Sequence, residues 1–209
     1  MSAWRTQVTA PEVALTLVTD RRRLEGRDLA GLAREASLAG VDRIQLREKD
    51  LPDGALRALA AEVVAATAGT GTIVLVNGRP DVAVATRAAG VQLPEDGLPV
   101  KEVKRCFPGL LVGASRHSLE GVRRAQEEGA DFVLLGPIFP SPGKEERALG
   151  LEVLSEAAGS VAIPVHAIGG IDRRTARSAV EAGARGLAAI RAFLEGPLLP
   201  AVRALRGNE

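Results

Sequence analysis

A chain of 209 residues, 46% hydrophobic and 25% charged, has the length and balance of an ordinary globular domain with a sizeable core. Its net charge of +1 with no long run of one sign argues against a nucleic-acid or membrane surface, and 2% aromatic residues with no Tyr argue against a base-stacking platform. A single cysteine, Cys106, excludes an internal disulfide, and no Cys/His spacing suggests zinc.

Cys106 is expected to be a buried helix thiol. No segment is apolar for the roughly 18 residues that a membrane span needs. The start Met1-Ser2-Ala3-Trp4-Arg5 lacks the apolar core of a signal peptide, so a cytoplasmic location is expected.

In chain order, β-prone apolar runs predict strands at 13–19, 43–47, 72–76, 91–93, 110–114, 132–135, 164–168 and 187–190. Helical patterns fall between them at 28–39, 53–68, 80–89, 100–107, 118–128, 150–158 and 175–182, and a last one covers 197–205. One pattern recurs: a helix stops at Gly and a strand begins within a few residues, at Gly40, Gly90, Gly129 and Gly183. Gly just past a helix supplies a left-handed cap. Alternating strands and helices imply βαβ units and a parallel sheet.

Eight such units predict a single-domain (β/α)8 TIM barrel over residues 1–209. An open doubly wound sheet is the alternative, but eight equal units suit closure better. The longest irregular piece, 136–149, contains Pro137, Pro140, Pro142 and Gly143, and a long loop in a compact domain is often a functional lid.

Barrel sites lie where the strands end, in the loops that follow. The polar residues there are Thr19 and Asp20; Gln45, Arg47 and Lys49; Asn77; Gln92; Ser115, Arg116 and His117; Lys144 in the long loop; and Arg191. Alternation puts Gln45, Arg47 and Lys49 on one side of strand two, with Leu46 and Glu48 on the other. Three polar groups facing a barrel mouth are costly unless they bind something, and Arg and Lys suit an anion. The bland reading is an ion-pair network with Glu48 and Asp50.

Asn77 and Gln92 are amides that can both donate and accept, which suits a heteroaromatic ring. Asn77-Gly78 also reads simply as a turn. His117, just before the expected helix cap Ser118, can exchange protons near neutral pH. His166 lies within a strand and reads as a packed core histidine. Lys144 could close over an anion.

The stretch Pro164-Val165-His166-Ala167-Ile168-Gly169-Gly170-Ile171-Asp172 reads as a strand, a glycine turn and a helix start capped by Asp172. Without a Cβ, Gly169 and Gly170 would let a ligand approach the backbone. With Ile190 and Arg191 after strand eight, they form the expected phosphate seat, since barrels frequently bind phosphate there.

Gln45-Leu46-Arg47-Glu48-Lys49, Gly136-Pro137-Ile138-Phe139-Pro140 leading to Lys144, and Ala167-Ile168-Gly169-Gly170-Ile171 resemble the thiamine phosphate synthase superfamily. The resemblance runs from strand one to strand eight and implies an enzyme of thiamine biosynthesis. Its synthase branch joins a pyrimidine diphosphate to a thiazole phosphate with magnesium. That branch has Asn-Asp after strand three and a second Asp after strand four. Here the first Asp position is Gly78, and the second falls at or beside Asp96. The synthase loop Thr-x-Thr/Ser-Lys stands here as Ser141-Pro142-Gly143-Lys144.

The pattern of the tautomerase branch is similar to Asn77-Gly78-Arg79, Val91-Gln92-Leu93-Pro94 and Ser115-x-His117-Ser118. That likeness implies that His117 aromatises a carboxythiazole phosphate without metal or other cofactor. One proton leaves the ring carbon bearing the carboxylate, and another is added at the exocyclic alkene carbon. Arg47 and Lys49 would face carboxylate or phosphate; Gln45, Asn77, Gln92, Ser115 and Lys144 complete the implied substrate set. The implied partner is a small phosphorylated thiazole, and a homo-oligomer is compatible with the sequence. The alternatives are a synthase requiring Mg2+ and a non-catalytic protein that senses a thiamine precursor.

Overall fold

The computed structural model describes residues 13–24, 26–141 and 145–207. Eight strands run β1 Ala14–Val18, β2 Arg43–Leu46, β3 Ile73–Asn77, β4 Gly90–Leu93, β5 Leu111–Arg116, β6 Phe132–Leu135, β7 Val165–Ile168 and β8 Gly186–Ala189. All neighbours pair in parallel, and β8 closes onto β1 to complete a barrel. The α-helices are α1 Leu29–Leu38, α2 Asp53–Ala66, α3 Pro80–Thr86, α4 Val100–Cys106, α5 Leu119–Glu127, α6 Gly150–Ser160, α7 Ala176–Glu181, α8 Arg191–Leu194 and α9 Leu198–Leu205. The architecture is a (β/α)8 TIM barrel. No helix among the described residues is long and apolar enough to cross a membrane.

The pleat sorts the core into two sets. Val18, Leu75, Leu111, Phe132, Leu134 and Ala188 form a cluster of their own, filling the barrel. The alternate strand positions, such as Leu17, Ile44, Val76, Val91 and Val133, pack outward against the helices in one continuous sheath. Register carries the inner set around the wall: Val18 lies beside Gln45, Gln45 beside Leu75, Leu75 beside Gly90, and Gly90 beside Leu111.

At the end where the strands begin, the filling is polar. Arg43 Nη1 lies 3.0 Å from His166 Nδ1, and its guanidinium carbon sits 4.5 Å from the centre of the Phe132 ring. His166 is therefore a packed core histidine. Burial, then the charge of Arg43, drives its pKa well below the ordinary imidazole range. Burial also brings the Arg43 guanidinium down to about 10, so it remains charged at neutral pH.

Some local expectations are corrected. The left-handed residue ending α3 is Arg87, at φ 60°, whereas Gly90 belongs to β4. A Cβ on Gly90 would lie 2.0 Å from the Leu111 carbonyl oxygen, so closeness of the neighbouring strand explains that glycine. Cys106 is exposed: Val100 and Val103 form the buried face of α4, and the helix ends at the cysteine. A short extra helix, α8, follows β8, and α7 starts at Ala176.

Candidate active site at the barrel mouth

The β2 end carries two opposed sets of side chains. Gln45 is buried within the barrel wall. Glu48 turns the other way and is almost fully covered. Its carboxylate accepts from Thr19 Oγ1 at 2.5 Å and from the Arg21 N–H at 3.1 Å. Arg21 also forks onto Asp50, with Nη1 to Oδ1 at 2.6 Å and Nη2 to Oδ2 at 2.9 Å.

The acidic residues of this loop are thus engaged by the β1–α1 loop, and the alternative reading, an ion-pair network with Arg47 and Lys49, does not form among the described residues. Among the described residues, Arg47 and Lys49 have no salt-bridge partner. The Arg47 N–H donates to Thr19 Oγ1 at 2.9 Å, so Thr19 couples the buried carboxylate to the backbone of Arg47.

Asn77, Gln92 and Ser115 end or line β3, β4 and β5. Asn77 sits beside Gln92 in register. Gln92 is fully buried, and its Nε2 donates to Ser115 Oγ at 3.0 Å. Among the described residues, Gln92 Oε1 has no hydrogen-bond partner. Gly78 has φ 69°, and its N–H donates to the Gln92 carbonyl at 2.8 Å, so turn geometry accounts for this glycine. Arg79 is drawn away to Asp53 at 2.5 Å and Asp81 at 2.7 Å, tying α2 to α3.

His117 is exposed at the rim after β5. Its Nδ1 hydrogen-bonds to the Gly136 carbonyl, and its backbone N–H donates to Glu95 Oε2 at 2.9 Å. Ser118 caps α5 by accepting from the Gly121 N–H at 3.1 Å. Arg116, expected at the mouth, is instead buried; alternation along β5 turns it opposite to Ser115.

The loop after β6 prolongs its pairing with β7. Ile138 N–H donates to the Ile168 carbonyl at 2.9 Å, and Phe139 N–H to the Gly169 carbonyl at 3.1 Å. Leu149 and Gly150 return to the Pro137 and Ile138 carbonyls at 2.8 and 3.0 Å. The base of this loop is therefore bound down at both ends.

This packing changes the reason for the glycine pair. Gly169 and Gly170 have φ 92° and 65°, a region that favours glycine. A Cβ on Gly169 would lie 2.5 Å from Pro137 Cβ, and one on Gly170 would lie 2.6 Å from Phe139 Cβ. Closeness to the β6–α6 loop makes both glycines necessary, rather than ligand approach alone. Asp172 Oδ1 accepts from the Arg174 and Thr175 N–H groups at 2.8 and 3.2 Å, ahead of α7. Among the described residues, the N–H groups of Gly170 and Arg191 donate to no backbone carbonyl.

His117 and the glycine pair thus share one rim. Gly136 receives the His117 ring, and the next residue, Pro137, packs on Gly169. Gln45, Asn77, Gln92 and Ser115 belong to the adjoining arc of strands, and Ile190 and Arg191 follow β8 beside β7. Lys144 lies outside the described residues. Sequence reasoning missed Glu95, and it missed the link that joins Thr19 and Glu48 to Arg21, because each acts on a neighbouring loop that only the closed barrel brings near.

A divalent cation would want several carboxylate oxygens. Gly78 offers none, Asp96 is exposed, and Glu95 already accepts from the His117 N–H. Among the described residues, no group of three or more His, Cys, Asp or Glu is arranged to hold a metal ion. Gly78 thus leaves this rim one carboxylate short of the synthase pattern.

Comparison with known proteins adds an independent observation. The family model described as thiamine monophosphate synthase matches residues 15–193. The thiamine-phosphate synthase of Methanoculleus marisnigri is 41% identical over 196 residues, covering 92% of this chain and 93% of that protein. That of Roseiflexus castenholzii is 38% identical over 184 residues, covering 87% and 81%. The solved structure of thiamine phosphate pyrophosphorylase from Pyrococcus furiosus superposes with a TM-score of 0.86 at 34% identity, covering 94% of this chain and 95% of that one.

Proposed function

This chain belongs to the thiamine monophosphate synthase family, and from that premise we propose that it is a thiazole tautomerase, aromatising a carboxythiazole phosphate by proton transfer through His117. The observation that carries this reading is the contact of the His117 Nδ1 with the Gly136 carbonyl. A carbonyl oxygen can only accept, so the Nδ1 contact with Gly136 requires the proton on Nδ1. In the neutral ring Nε2 then holds the lone pair of a base, and among the described residues it has no hydrogen-bond partner.

Such a group takes the proton from the ring carbon bearing the carboxylate. It then returns a proton to the exocyclic alkene carbon, and the ring becomes aromatic with no net change in atoms. Imidazole suits both halves because its ordinary titration range spans neutral pH. In this reading Arg47 and Lys49 receive the carboxylate or phosphate, and Asn77, Gln92 and Ser115 orient the heterocycle. The N–H groups of Gly170 and Arg191 are donors for phosphate. The reaction calls on no metal, and the barrel acts as a single domain on a small phosphorylated substrate.

The test replaces His117 by Gln and follows aromatic thiazole formation by absorbance. Loss of a general acid–base group lowers turnover by about 10²–10⁴-fold. The side chain is exposed, so folding should persist. Undiminished turnover rejects the reading.

A second reading, thiamine phosphate synthase, is favoured by the names of the relatives and by Gln45-Leu46-Arg47-Glu48-Lys49. The absence of a side chain at Gly78 and the engagement of Glu95 weigh against it. Incubation with hydroxymethylpyrimidine diphosphate, thiazole phosphate and magnesium decides. Steady thiamine phosphate formation would reverse the ranking.

A further inference from the structure

We propose that Glu95 is the positioning residue for His117, holding the β5–α5 loop through the His117 main-chain N–H, with the buried guanidinium of Arg116 as its counter-charge. This rests on His117 being the proton-transfer group, and Glu95 itself touches no substrate. Ser118 caps α5, so the His117 N–H lies two residues ahead of the helix and outside its capping bond. Glu95 Oε2 accepts from it at 2.9 Å, reaching across from the β4–α4 loop.

The other oxygen, Oε1, lies 3.9 Å from Arg116 Nε. Arg116 is 7% exposed at its side chain. Its Nη1 donates to the Ser115 carbonyl at 2.7 Å, and among the described residues its Nε has no hydrogen-bond partner. A buried cation with an unfilled donor keeps the carboxylate drawn toward β5. The His117 residue is then held twice, by its backbone at Glu95 and by its ring at Gly136. Neither hold by itself fixes both the height and the angle of the imidazole.

The test uses the full-length protein with Glu95 replaced by Ala, Asp and Gln. Asp keeps the charge beside Arg116, which preserves the fold, but withdraws the oxygen from the His117 N–H by one methylene. Gln keeps an oxygen that can accept. With only two histidines in the chain, nitrogen-15 NMR resolves both rings, and His117→Gln assigns them.

The wild-type protein should show His117 as the Nδ1–H tautomer. Ala and Asp should shift its ring signals toward tautomer averaging and lower kcat about tenfold to a hundredfold, as a misplacement near 1 Å does, with KM little changed. Gln, which keeps an acceptor but not the charge facing Arg116, should recover part of both. Unchanged ring signals and kcat in Ala and Asp would overturn the proposal, as would a Gln variant no better than Ala. The NMR readout needs no substrate. Unchanged turnover in His117→Gln therefore overturns the tautomerase reading, whereas unchanged ring signals in Ala and Asp overturn only the role of Glu95.

Discussion

The imidazole of His117 is bound through Nδ1 to the main-chain carbonyl of Gly136, the residue that opens the β6–α6 loop. Gly136 is itself wedged against β7, because a Cβ there would lie 2.1 Å from the Ile168 carbonyl oxygen. One packed line therefore joins the candidate base to the candidate phosphate seat.

Gly136→Ala tests that line. The added methyl cannot be relieved by a flexible side chain, because its nearest neighbour is backbone. Overpacking of this kind costs about 1–3 kcal/mol. The expected outcome is a lowered midpoint in urea unfolding and a loss of activity larger than that destabilisation explains, measured well below the transition. An active, fully stable variant would contradict the packing argument.

Glu48→Ala should harm both stability and substrate binding. It leaves the Thr19 hydroxyl and the Arg21 N–H without their acceptor, at a cost of about 1–3 kcal/mol. It also frees Thr19, which holds the Arg47 backbone, so KM for the anionic substrate should rise. Asp50→Ala, at the exposed end of the same Arg21 fork, should do far less. Equal effects from the two variants, by thermal unfolding and steady-state kinetics, would refute this assignment.

His166 predicts a pH dependence of stability. Its folded pKa is depressed, first by burial and then by Arg43, while an unfolded imidazole titrates near 6.5. Below about pH 6.5 the unfolded chain therefore binds the extra proton. Stability should fall as pH drops through that range, by at most ~1.4 kcal/mol per pH unit from this group. The lowered carboxylates Asp20, Asp50, Asp81 and Asp172 act in a more acid window, below their ordinary range. Urea unfolding at pH 7.5, 6.5 and 5.5 should show a steeper loss in the wild type than in His166→Asn. Parallel slopes would remove His166 as the cause.

Chelation separates the two functional readings. Tautomerase activity should survive excess EDTA, since the proposed proton transfer calls on no metal. Abolition by EDTA with recovery on magnesium would favour the synthase reading.

Much of the barrel was legible in the chain itself. All eight strands lie within two residues of their sequence-derived limits, because strand length, apolar run and glycine stop are local properties. His117 and Gly169-Gly170 were singled out for the same reason: loops after strands form the mouth of such a fold.

What only the tertiary structure decided lies between loops. The Glu95 contact with His117 spans 22 residues and the Arg43 contact with His166 spans 123. The clash that makes Gly169 a glycine comes from Pro137, and the partner that engages Glu48 is Arg21. Residues far apart along the chain become neighbours only when the sheet closes. Local pattern specifies which segments are strands and helices; closure alone specifies which side chains meet across them.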